Sequence, residues 1–226
     1  MLALTSGGHT LLIDCGGDVI QRTQAAGIDL ASIDSLFITH EHPDHVGGFP
    51  VFVEKIWLCG RTRAIDLYGI APALSQASRC FATYDTSHWS LPELRWHEVA
   101  YEEGAFVLES DEWRITASPG VHGVPVVGLR MEHRPSGAVA AYSCDTEPTP
   151  SIERLAAGAD LFIHEANGAI KGHSSNEQAA GVATRAGVNR LVLVHLPPGT
   201  QDEDLAAARS IFPDIRFGDE LERYEF

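Results

Sequence analysis

The chain is built from short apolar runs that stop before any of them can become a long helix. They are TLLIDCG (10–16), SLFITH (35–40), IWLCG (56–60), WRITASPG (113–120), VVGLRME (126–132), AVAAYSCD (138–145), LFIHEA (161–166) and RLVLVHL (190–196). Runs of this length, bounded by Gly, Asp or Pro, predict strands. SGGH between Leu4 and Leu11 predicts a hairpin turn. Ser174 and Glu177 have capping-box spacing ahead of NEQAAGVATRA, and Gly187 is placed to end that helix. Thr200 and Glu203 repeat the signal before DLAAARSIF, with Pro213 beyond. The stretch 79–103 is the least regular and reads as a loop over a site. Strands first, then strand and helix in alternation, with the same scheme in the second half, predict a layered α/β protein.

With 226 residues, 44% hydrophobic and 21% charged, the chain can bury a full core, either as one domain over residues 1–226 or as two fused repeats. No apolar run approaches the roughly 18 to 20 residues of a membrane-spanning helix. MLALTSGGHT has neither the basic flank nor the apolar length of a signal peptide. A cytoplasmic protein without a membrane partner is expected. The four cysteines (Cys15, Cys59, Cys80, Cys144) lack zinc-ribbon spacing and read as small buried residues of a reduced protein. Sixteen basic against 31 acidic residues leave a net charge of −15, which repels polyanions at long range. A local phosphate grip remains open to Arg61, Arg63, Arg79 and Arg130.

One run ends differently from the rest. In FITHEHPDHVGGF (37–49), His40, His42, Asp44 and His45 fall within six positions. His40 and His42 sit two apart, so an extended chain projects both rings the same way. Pro43 then forces a turn that lets Asp44 and His45 approach the same space from another side. Imidazole with carboxylate suits zinc, or manganese and iron in the same geometry, better than calcium or magnesium. Three more candidates lie at strand ends: His122, Asp145 and His195. Asp145 has two oxygens and could bridge a pair of ions about 3.5 to 4 Å apart, which together activate water and polarise an electrophile. Asp14 is placed to hydrogen-bond a ligand ring and fix its tautomer.

DCGG after the first full strand, THEHPDH, and then His122, Asp145 and His195 in that order resemble the metallo-β-lactamase superfamily over nearly the whole chain. The resemblance implies a four-layer αββα sandwich with a dinuclear site. His40, His42 and His122 would hold one divalent ion, Asp44, His45 and His195 the other, and Asp145 would bridge them. LFIHEA and GHSSNEQAA (172–180) look like the HEAT and HST motifs of the ribonuclease Z and phosphodiesterase branch. By that resemblance Glu165 and His173 protonate the leaving oxygen, while Asp44 helps to orient the attacking water.

The chain departs from the branch in lacking its LGTG strand ahead of Met1. Only residues 123–144 separate His122 from Asp145, too few for the arm that grips transfer RNA, and residues 166–172 make a short link between Glu165 and His173. The implied activity is hydrolysis of a small phosphodiester or of an RNA 3′ end. The alternatives are tRNA 3′-end processing, carboxylic ester, lactone or thioester hydrolysis, and a metal-stabilised binding module. Relatives of this kind form homodimers, and Trp57, Phe49 and Phe52 are candidates for a subunit contact or, more simply, for core packing.

Overall fold

A computed structural model describes residues 1–226. Contacts divide the chain into two compact units, Met1–Val99 and Ala100–Phe226.

In the first unit, β1 (Leu2–Ser6) and β2 (His9–Ile13) pair antiparallel from Leu2 opposite Ile13 to Ser6 opposite His9. Gly7 and Gly8 between them have φ of 54° and 81°, the left-handed pair that a two-residue hairpin of the right twist requires. The SGGH turn is therefore where the sequence places it. Parallel strands β3 (Ser35–Ile38), β4 (Ile65–Gly69) and β5 (Leu94–Glu98) extend the sheet in the order β1-β2-β3-β4-β5. All four residues of β3 are buried, which is why SLFI reads as an unbroken apolar run. The edge strand β5 is largely exposed and carries Arg95, His97 and Glu98, charges that discourage further pairing.

The helices of this unit are α1 (Val19–Ala25), α2 (Pro43–Val46), α3 (Phe49–Leu58) and α4 (Ala71–Phe81). IWLCG is not a strand. Its first three residues are the last turn of α3, whose Phe49, Phe52, Val53 and Ile56 are fully buried at helical spacing. Phe49 and Phe52 are thus core residues. The stretch 79–103, expected as a loop, contains the end of α4 and all of β5.

None of the four arginines is held ready for phosphate. The buried Arg61 donates to the carbonyls of Ala31, Ile33, Arg63 and Ala64, and burial draws its pKa down to about 10. Arg63 pairs with Asp34, Arg79 with Gln76, and Arg130 with Glu132 and the carbonyls of Leu155 and Ala157. All four cysteines are free, but only Cys15 and Cys144 are buried; Cys59 is exposed and Cys80 intermediate.

The second unit opens with an antiparallel meander, β6 (Ala105–Glu109), β7 (Trp113–Pro119), β8 (Val127–His133) and β9 (Val139–Tyr142). Helices α5 (Pro150–Leu155), α6 (Asn176–Ala186) and α7 (Ala206–Ile211) then carry the chain into parallel strands β10 (Leu161–Glu165), β11 (Leu191–Val194) and β12 (Ile215–Phe217). The sheet order is β12-β11-β10-β9-β8-β7-β6. Small residues at Ala179, Ala180 and Ala183 let α6 approach Phe162 and Leu191 closely in a shared apolar cluster.

The capping box of α6 lies one residue later than its sequence signal. The Ser175 hydroxyl accepts from the Gln178 N–H, and the Gln178 side chain accepts from the Ser175 N–H. Gly187 closes the helix at φ 66°, as expected. The second box also shifts by one, to Gln201 and Asp204 ahead of a 3₁₀ turn.

His164 is fully buried in β10, edge-on to Phe162, with its Nδ1 hydrogen-bonded to the Glu165 carbonyl. Burial pulls its pKa down to about 4, so the folded protein holds it neutral. Between roughly pH 6.5 and 4 the unfolded chain takes up a proton that the folded chain refuses, and stability falls as pH drops through that window by up to about 3 kcal/mol. Urea unfolding of metal-free protein at pH 7.5 and pH 5 is expected to show this loss. His164→Leu should flatten it, and an unchanged pH slope in that variant would place the effect elsewhere.

Candidate metal centre

In both units several of the residues singled out by sequence sit where parallel strands end, the rim on which open α/β sheets bind ligands. Asp44 and His45 instead lie in α2, His122 in the loop after the antiparallel β7 and His173 shortly before α6. In the first unit β2 runs into Asp14 and β3 into Thr39 and His40. In the second, β9 leads to Asp145, β10 ends on Glu165 and β11 leads to His195. Asp14, Cys144 and His195 turn away from their strands at φ of 67°, 54° and 52°. Such left-handed backbone costs a non-glycine residue on the order of 1–3 kcal/mol, and surrounding bonds must hold it. The Asp14 N–H donates to the Phe37 carbonyl at 2.7 Å, and that of Cys15 to the His45 carbonyl at 2.6 Å.

The first unit gathers its ligand candidates around Asp14. The buried carboxylate accepts from the N–H and the hydroxyl of Thr39, each at 2.8 Å, and from Nδ1 of His45 at 2.8 Å. This sets the His45 tautomer and leaves its Nε2 as an acceptor, the role expected for Asp14. Burial is the largest influence on Asp14 and opposes its charge, but His45, the amino terminus and the Thr39 N–H together outweigh it, and the carboxyl stays below its ordinary range. His40 Nε2 lies 3.1 Å from His42 Nδ1, and His45 Nε2 lies 3.4 Å from an Asp44 oxygen. Atoms bound to one zinc ion at about 2.1 Å stand roughly 3 to 3.5 Å apart in a tetrahedral shell, so both spacings fit a cation. Thr39 went unremarked in the sequence; its only signal was its place directly before His40.

DCGG and HVGG are in backbone contact. The Gly48 N–H donates to the Cys15 carbonyl at 2.8 Å. A Cβ on Gly48 would stand 2.0 Å from the Gly16 oxygen, and one on Gly16 would stand 2.5 Å from the Asp44 oxygen. These glycines bring the Asp14 loop against the ligand loop, and no side chain fits between.

In the second unit Glu165 is the hub. One oxygen accepts from the N–H groups of Thr146 and Ser174, each at 3.0 Å, and faces His173 Nδ1 at 3.2 Å. The other accepts from the Asn167 N–H at 2.8 Å. Burial pushes its carboxyl up to about 7 against the pull of the backbone donors. His173 meets His122 and His195 edge-on, with ring centroids 4.9 and 5.5 Å away. His122 Nδ1 bonds to the Gly172 carbonyl at 2.7 Å, and His195 Nδ1 to Asp145 at 2.7 Å. Donor atoms of His122, Asp145 and His173 lie within 4.8 Å of one another, a second set able to face a cation. Thr146, Glu147 and Ser174 brace these loops: Ser174 Oγ donates to the Thr146 carbonyl and the Gly172 N–H to Glu147.

The beta-lactamase superfamily domain family matches residues 9–196, and the chain belongs to the metallo-β-lactamase superfamily. The metallo-beta-lactamase fold protein YhfI of Bacillus subtilis superposes with a TM-score of 0.80 at 22% identity, covering 96% of this chain and 88% of that one. The short form of human tRNase Z gives 0.80 at 22% identity over 97% and 89%. The αββα fold class expected from the sequence is the one these structures share. Ribonuclease Z of Mycobacterium sp. (strain KMS) is 32% identical over 253 residues, 97% of this chain and 87% of that one. Within the superfamily the chain therefore falls in the ribonuclease Z branch, and it is a metal-dependent hydrolase.

Two substitutions test how the ligand loop is held. Asp14→Asn should keep the fold while lowering metal affinity about 10- to 100-fold in a chelator competition; unchanged affinity would mean that His45 needs no such support. Gly48→Ala should cost at least about 2 kcal/mol in denaturant unfolding, because backbone must move. Gly17→Ala, with nothing within 4 Å of the new carbon, should stay within about 0.5 kcal/mol.

Proposed function

We propose that the chain is a phosphodiesterase of the ribonuclease Z kind that works without a tRNA-gripping arm, as one hydrolase domain over residues 1–226. In this reading His40, His42 and His122 hold one divalent ion, Asp44, His45 and His195 hold a second, and Asp145 bridges them. The ions are zinc, with manganese or iron(II) suited to the same donors. When bound, such ions supply the Lewis acidity that activates water and offsets charge growing on the phosphoryl oxygens.

The observation that carries the reading is the Glu165–His173 pair. A thioester yields a thiolate that departs readily, whereas the alkoxide of a phosphodiester needs a proton. A proton held between Glu165 and Nδ1, 3.2 Å apart, leaves Nε2 with its own N–H, which is then the donor. Glu165 cannot swing away, because three backbone N–H groups hold its two oxygens. His173 gives its proton to the leaving oxygen as the bond to phosphorus breaks.

A small phosphodiester is the favoured substrate. Half of the span 123–144, where an arm would have to emerge, is taken up by β8 and β9, and the rest by the short links around them. The net charge of −15 adds a long-range penalty for polyanions. The second reading, cleavage at an RNA 3′ end, is favoured by the ribonuclease Z relative and is tested by precursor tRNA at low salt. Four free cysteines suit a reducing cytoplasm, and no helix is long and apolar enough to cross a membrane.

Zinc- or manganese-loaded protein is expected to hydrolyse bis(p-nitrophenyl) phosphate, with turnover lost on chelation and in Asp145→Ala. His173→Ala should cut turnover by about 100-fold or more on an unactivated diester while metal content stays at the wild-type level. Metal lost along with activity would make His173 a ligand, and full activity would remove it from the reaction.

A further inference from the structure

Beside the proton donor lies a cavity of about 340 Å³ that the proposed chemistry does not use. Its walls come from the segments that carry that chemistry. Ala166 follows Glu165 directly, Ser175 lies two residues beyond His173, and Pro197 two beyond His195. Two residues span at most about 7 Å of extended chain, so the cavity lies within that reach of Glu165, His173 and His195, although none of the three lines it. The volume is at the lower end of the range for small-molecule pockets and would hold a single sugar or nucleoside rather than a polymer.

The charged side chains of the lining are all acidic, and their two charges exceed the roughly half positive charge at the N-terminus of α6. Glu177 and Asp204 contribute carboxylates, Asn176, Ser175 and Thr200 contribute neutral polar groups, and no lysine, arginine or histidine lines the wall. Glu177 accepts from the Ser175 hydroxyl at 2.8 Å through one oxygen, and Asp204 from the Gln201 N–H at 2.9 Å through one. A carboxylate offers about four acceptor sites, so both retain capacity toward a donor in the cavity. Hydroxyl groups satisfy such acceptors, whereas another anion would be repelled at short range.

We propose that this cavity is the subsite for the departing alcohol and that it selects a neutral, hydroxyl-rich one, such as the ribose of a nucleoside, over one carrying a further phosphate. The inference rests on the phosphodiesterase reading. In the reaction a water oxygen bonds to phosphorus, the ester P–O bond breaks, and the released oxygen takes its proton from His173, so water and diester yield one alcohol and one phosphomonoester. Glu177 and Asp204 are specificity groups that act by binding the alcohol.

The test compares uridylyl-(3′→5′)-uridine with the same dinucleotide phosphorylated at both ends, so that either departing nucleoside is neutral in one probe and anionic in the other. Bis(p-nitrophenyl) phosphate is run on the same metal-loaded wild-type sample. The neutral dinucleotide is expected to be preferred at least tenfold in kcat/KM, and Glu177→Gln with Asp204→Asn should shrink the preference to within about threefold. Equal rates, a reversed preference, or a preference that survives in the double variant would overturn the subsite. So would cleavage of the aryl diester with neither dinucleotide turned over, which would leave the phosphodiesterase reading standing. Inertness of the aryl diester together with both dinucleotides would instead remove that reading itself.

Discussion

The ligand loop of the first unit depends on one buried carboxylate. Asp14 has no exposure to water, and a charge in that position is tolerable only if nearly every lone pair finds a donor. The main chain and hydroxyl of Thr39 supply two, and His45 supplies the third. The same three bonds therefore satisfy the acid, pin the exit of β3 and fix that Nε2 of His45, not Nδ1, turns toward Asp44. Backbone contact between the two glycine pairs then sets the distance between the loops, and because no side chain lies between them the distance has little latitude.

Glu165 applies the same rule in the second unit with a different result. Its donors are mostly backbone N–H groups from Thr146, Asn167 and Ser174, so the residue draws the loops after β9 and β10 together and reaches the start of α6. Asp14 is satisfied largely by side chains and stays below the ordinary carboxylate range, whereas burial wins at Glu165. Two buried acids in one chain are thus tuned apart by what surrounds them.

The strand-exit residues were legible in the sequence because metal chemistry needs unusual residue types at short spacing. THEHPDH has few bland explanations, and Asp145, Glu165 and His195 each end an apolar run that is itself recognisable from burial on both faces. What was not legible lay in shorter windows and in satisfaction. IWLCG is too short to separate strand from helix, and only FPVFVEKIWL shows the spacing of Phe49, Phe52, Val53 and Ile56 that makes α3. IDLYG does not stand out as an apolar run because Asp66 and Gly69 interrupt it, although its alternation of buried and half-buried residues is ordinary for β4. Two capping boxes shifted by one residue because Ser174 and Thr200 found nearer carbonyl partners, at Thr146 and Pro197. The arginines misled for a related reason: a guanidinium that binds carbonyls in the core has the same sequence signature as one waiting for a phosphate.

The positive φ angles bear on how much of each ligand set exists before metal arrives. Cys144 and His195 hold left-handed backbone beside Asp145 and the loop after β11, and Asp14 does so beneath His45. A loop that relaxed in the absence of metal would give up such conformations, since each costs more than an ordinary extended residue. Bonds to main-chain groups and to buried side chains hold them. Within each unit the imidazoles and carboxylates are therefore arranged by the hydrogen bonds of the fold itself, through Asp14 and Glu165, which is how a ligand shell is held from behind.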